Sequence, residues 1–98
     1  MKIIQKISEM IDEEITDAWK YARCYQNHKE DDPELAKTIS QLATEELGHA
    51  DKLHAQVVRL IKNQREKTGD PPEWMLHVYN YLHERSINRA TEVRALLV

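Results

Sequence analysis

No phenylalanine occurs in this 98-residue chain, and glycine occurs only twice, proline three times and cysteine once. Each scarcity excludes something. Without phenylalanine, and with a hydrophobic share of 41%, a large aromatic core is not expected. So little glycine and proline excludes a loop-rich, disordered or collagen-like chain. A lone Cys24 cannot build a disulfide framework, so a reducing, cytoplasmic setting is expected. No apolar run approaches the roughly 20 residues of a membrane span, and the opening MKIIQKISEM lacks the long apolar stretch of a secretion signal. The net charge of −3, with both signs interspersed, leaves no basic stripe for a nucleic acid. What these exclusions leave is a single small helical domain over residues 1–98, whose core a second copy would help to complete.

Helix breakers fall in only two places, EDDP at 30–33 and TGDPP at 68–72. Asp32 followed by Pro33 and Glu34 is a helix start, because an aspartate cap and a proline at the first helical position both suit the unpaired amides there. Gly69 reads as a helix stop, and Asp70 with Pro71 repeats the start signal. The spacing predicts an all-α chain with helices over about 3–29, 33–67 and 71–97.

Two of these segments carry an apolar rhythm of alternating three- and four-residue steps. In the first it runs Ile4, Ile7, Ile11, Glu14, Ala18, Tyr21, Tyr25. In the second it runs Leu35, Ile39, Leu42, Glu46, His49, Leu53, Gln56, Leu60. Such seams pack helices nearly parallel or antiparallel in bundles. Ionisable groups interrupt both seams near their middles. From a reversal between Glu30 and Asp31, Glu14 lies 16.5 residues before the turn, and Glu46 and His49 lie 15.5 and 18.5 after it. At about 1.5 Å per residue the three share one level, within a helical turn. A carboxylate in an apolar seam is costly unless it is paired, protonated or metal-bound.

Glu46-Leu47-Gly48-His49 places a carboxylate and an imidazole on one helix face, close enough to hold one metal ion. The motif alone is weak, since this composition gives about half a chance match somewhere in the chain. Its weight comes from lying opposite Glu14. Ferritin-like di-iron bundles use one glutamate from each of two helices and Glu-x-x-His from each of two others. This chain supplies one of each.

EEITDAWKYA (13–22) resembles the first helix of rubrerythrins and other members of the ferritin-like superfamily, and LATEELGHADKL (42–53) resembles their second, metal-binding helix. The resemblance covers about residues 8–61. With one helix pair where full-length members hold two, the layout is most similar to the encapsulated ferritins. It implies a hairpin that dimerises, or assembles further, into a four-helix bundle. It also implies a di-iron site shared between subunits and oxidation of Fe(II) to Fe(III). The same resemblance implies Glu14, Glu46 and His49 as metal ligands, and these three together with Tyr21, beside the metals, as the catalytic residues. An encapsulin shell would be an implied partner, although the helical pattern runs to Leu97 and leaves no docking tail. The Cys-x-x-Cys module of rubrerythrins is absent, and residues 71–97 align with no ligand-bearing helix.

Two other readings fit the same residues. One is a non-enzymatic oligomerisation module whose polar layer fixes register. The other is a redox-silent Zn or Mn protein on the same ligands, since donor type alone does not select iron. Glu13, Asp17 and Glu45 read as solvated acids beside the seam, Asp51 and His54 as surface, and His28, His77 and His83 as solvated or satisfied histidines. Gly48 reads as room for close helix approach or for the metal layer.

Overall fold

Local chemistry sets where each helix begins and ends. The computed structural model describes residues 2–98 and contains three helices: α1 (Lys2–His28), α2 (Pro33–Thr68) and α3 (Glu73–Leu96). Asp32 caps α2, its carboxylate accepting from the Leu35 amide at 3.1 Å, with Pro33 and Glu34 in the first turn. Arg65 and Lys67 near the far end complement the helix dipole. Gly69 closes the helix with φ of 82°, where a side chain would be strained, and its amide donates to the Arg65 carbonyl.

The third helix starts two residues later than the sequence rhythm predicts. Pro72 constrains Pro71 away from helical dihedrals, because a residue preceding proline clashes with the ring in the α region. Pro72 itself is extended, at φ −53° and ψ 143°, and α3 begins at Glu73. Asp70 therefore caps nothing and lies 3.5 Å from Arg65 instead. The start of α2 coincides with the expected one, and the other boundaries differ by one residue.

α1 and α2 form a long hairpin in a molecule measuring 56 × 18 × 17 Å. Small residues let them approach closely: Ala18, Ala22, Ala36, Ala43 and Ala50 are buried, joined by Ile4, Ile11, Ile15, Leu47 and Val57. On α2 the buried stripe (36, 43, 47, 50, 57) lies one residue beyond the expected seam. Leu35 and Gln56 of that seam are exposed, and Ile39, Leu42, Leu53 and Leu60 are only half-buried. Periodicity found the right helices, but it weighted large side chains and passed over the alanines that make the contact.

α3 lies along one flank of the hairpin and packs chiefly on α1. Val93, fully buried, sits among Ala18, Ala22 and Leu47, supported by Ala90, Leu96 and Leu97. Arg89 binds Asp12 and donates to the Thr16 hydroxyl, and the Gln26 amide donates to the Leu96 carbonyl. At about 100° per residue, Ile3, Ile7, Met10, Glu14 and Tyr21 fall on the opposite flank of α1 from Asp12 and Thr16. Leu35, Leu42, Glu46, Leu53 and Leu60 lie beside them on α2, so this second flank has no covering helix. Ile3, Met10 and Leu35 are 52%, 40% and 41% exposed there. No helix among the described residues is long and apolar enough to cross a membrane.

Candidate metal centre

The polar residues that interrupt the two apolar rhythms meet in the middle of the open flank. Glu14 of α1 and Glu46 and His49 of α2 each offer one ligand atom, all within 4.8 Å of one another. His49 Nδ1 lies 3.4 Å from Glu14 Oε2 and 3.9 Å from Glu46 Oε1. The three-residue spacing on α2 stacks Glu46 and His49 on successive turns of one face, and antiparallel hairpin geometry brings Glu14 to their level. The Glu46 and Glu14 side chains are 21% and 28% exposed and that of His49 is 53% exposed. The carboxylates thus form a floor and the imidazole a rim facing solvent.

The cluster is short of positive charge. Among the described residues, no lysine or arginine pairs with either carboxylate, and Glu14 Oε2 is buried without a hydrogen-bond donor. Glu46 becomes a weaker acid in this environment: its pKa is raised from 4.5 to about 6. The largest cause is a hydrogen bond with Glu14, followed by partial burial and the Glu14 charge. His49 pulls the other way, and Asp17 adds a further upward push. As a carboxylate pair the two repel, and a proton on Glu46 supplies the donor that Glu14 lacks.

A divalent cation would serve the same need better. It would give the orphaned Glu14 oxygen a partner and offset the repulsion between the carboxylates. Two carboxylates and one imidazole form a donor set that fits Fe(II), Mn(II) or Zn(II). Three ligands from one chain also leave coordination positions free. The residues present therefore fit a metal ion.

The remaining expected residues fall out variously. Tyr21 is half-buried on the same flank as Glu14, but seven residues along, about 10 Å on the helix axis; it is outside the cluster. Glu13, Asp17 and Glu45 are exposed, as expected, with the Asp17 charge felt at Glu46. His28 lies 3.4 Å from Asp31 at the turn, and His77 lies 3.7 Å from Glu73 on the surface of α3. A side-chain carbon built on Gly48 meets nothing within 4 Å, so neither close helix approach nor a crowded neighbour within the chain explains this glycine.

His54 corrects the expectation of a surface residue. It is half-buried and stacks on His83 of α3, with ring centroids 4.3 Å apart. Sequence reasoning missed this pair because the third helix lacks a clean rhythm from which to orient His83. The one available signal was Tyr79 four residues before His83, which puts two rings on one helix face.

No protein-family model matches the chain, and no curated protein or solved structure matches it. The fold and the site define it on their own terms: an all-helical hairpin with a third helix on one flank and a carboxylate–histidine cluster on the other.

Proposed function

We propose that the chain is a ferritin-like half-bundle subunit that pairs with a second copy through its open flank, binds Fe(II) as substrate and oxidises it to Fe(III) with O₂. The observation that carries this reading is the Glu14–Glu46–His49 cluster with its orphaned carboxylate oxygen, set in an uncovered apolar flank. Two copies joined by that flank would gather four carboxylates and two imidazoles, the donor count of ferritin-like di-iron bundles. The thin core supports pairing as well. Val57 and Val93 are its largest fully buried side chains, and so little buried volume favours completion by a second chain.

Two Fe(II) held together can give one electron each to a single O₂, and one Fe(II) alone cannot supply both. The chain's own part is to bind and to balance charge. Glu14 and Glu46 offset the charge of the cations, and His49 contributes a neutral nitrogen from the rim. Asp17 extends negative potential toward solvent, which attracts a cation to the floor. The reading places the protein in the cytoplasm.

Anaerobic Fe(II) titration of metal-free protein, followed by air, tests the proposal. Saturation near about one iron per chain, with a fast near-ultraviolet rise on aeration, is expected. Glu46→Ala and His49→Ala should each remove both signals. Tight Zn(II) or Mn(II) binding without O₂ consumption would replace the oxidase with a redox-silent metal protein. Indifference to every metal would leave a structural polar layer.

A further inference from the structure

A row of aromatic rings joins α3 to the hairpin, away from the metal cluster. His54 of α2 stacks on His83 of α3 with planes 16° apart, and Tyr79 lies against His83 at 6.0 Å and 9°. The rings line a groove of about 620 Å³ between α3 and the hairpin, whose apolar floor includes Ile11, Ile15, Leu47 and Val57. The polar ties of α3 to α1 lie further along the helix, at Arg89 and at the Leu96 carbonyl, on either side of the buried Val93. The first half of α3 presents Trp74, Val78 and Tyr81 outward and exposed. Its inward side carries Tyr79, against the cluster of Ile4, Ile11 and Val57, the half-buried Met75, Leu76 and Leu82, and the histidine pair. One end of α3 is thus fixed by full apolar burial and charge, the other by half-buried side chains and by stacked rings that can change charge.

Every element around the pair contributes charged groups to the groove. α1 brings Glu9, Asp12 and Glu13, α2 brings Asp51, and α3 brings Arg85 and Arg94. Two of the carboxylates are engaged: Asp12 pairs with Arg89, and Asp51 lies 4.0 Å from Arg94. Burial, then the neighbouring His83, hold His54 below the ordinary imidazole value of 6.5, while Asp51 opposes them. Burial raises the Tyr79 hydroxyl, so that ring stays neutral. Two neutral imidazoles stack favourably, whereas two imidazolium ions at this separation repel. The stacked form therefore binds fewer protons than the separated one. Its contribution is whole above about pH 6.5 and is lost as pH falls below that value.

We propose that the His54–His83 stack is an acid-released latch: stacked neutral rings hold the first half of α3 over the groove, and proton uptake by His54 frees that half while the Val93 end stays anchored. The proposal is independent of the metal chemistry. It is tested by amide hydrogen exchange on the full chain across about pH 5 to 8, corrected for the intrinsic exchange rate. Protection over residues 73–86 should fall by about tenfold for each proton the open form gains over one pH unit, while residues 88–96 keep theirs. His54→Phe keeps a stacking ring without the half-buried titrating nitrogen and should abolish the change. Ring-proton NMR of the wild type gives a second measurement that needs no variant. Constant protection of residues 73–86, an equal loss in His54→Phe, uniform loss along the chain, or a His54 that titrates as a free imidazole would each overturn the latch.

Discussion

Glu46→Gln should stabilise the metal-free protein and, by the same change, remove its response to metal. In the folded chain the Glu46 carboxyl titrates at about 6 instead of 4.5. At neutral pH the folded state therefore carries an ionised group it would prefer to keep protonated. The shift of about 1.5 units corresponds to about 2 kcal/mol at 1.36 kcal/mol per unit. A fifth of the side chain remains exposed, and solvent screening reduces the effect to about 1 kcal/mol. Glutamine removes the charge and gives Glu14 an amide donor in place of a repelling oxygen. The expected gain is a Tm rise of about 4–8 °C for a chain of this size. The sign with pH is fixed. Wild-type stability falls as pH rises from 4.5 to 6, so the variant's advantage is full above about 6 and fades toward 4.5. Adding Fe(II) anaerobically at about a hundredfold over its Kd should stabilise the wild type by about 2.7 kcal/mol and the variant hardly at all. The order of the two melting temperatures then inverts. Differential scanning fluorimetry at fixed chain concentration reads both effects. A metal-free variant that melts no higher than wild type at pH 7 would refute the carboxylate strain. Equal gains from Fe(II) would refute Glu46 as a ligand.

Other perturbations probe other parts of the molecule. Val93→Ala removes the fully buried residue that seats α3 on α1, and should cost about 2 kcal/mol by urea denaturation, with exchange protection lost first over residues 88–96. A cost below about 0.5 kcal/mol would mean that α3 is anchored elsewhere. Gly48→Ala fills open space in a helix interior and should raise stability by about 1 kcal/mol, read as a higher Tm. Leu42→Glu places a charge on the uncovered flank. Sedimentation should then show monomers with unchanged helicity and reduced iron per chain, and an unchanged dimer would move the proposed interface off this flank.

The sequence exposed the polar layer more readily than the faces around it. Counting residues from the turn was enough to bring Glu14 level with Glu46 and His49, because helix rise is nearly constant and a four-residue connection leaves an antiparallel hairpin little freedom of register. Which stripe of α2 faces α1 was not legible at the same resolution. Leucines at 35, 42, 53 and 60 dominate any hydrophobic pattern, yet the contact is made one residue over by Ala36, Ala43 and Ala50. Alanine contributes little area and reads as neutral, but it is what lets two helices approach closely. The start of α3 failed for a different reason: a second proline overrode a cap signal that was sound in itself. The His54–His83 pair depends on how α3 rolls on the hairpin, and that is set by Val93 and Arg89 meeting α1, contacts between residues more than 70 positions apart.

The two flanks of the hairpin are unequal, and that inequality sets a limit on growth. A pair of amphipathic helices with both sides bare could add neighbours on each side and extend into an open array. Here α3 closes one side from within the chain, held by Arg89, Val93 and Leu96. Only one side is left for another hairpin, and a two-fold pairing through it uses up that side on both chains at once. Hairpin-to-hairpin addition would then stop at two. In the proposed pairing the third helix, which carries none of the clustered ligands, would act as the terminator of the assembly.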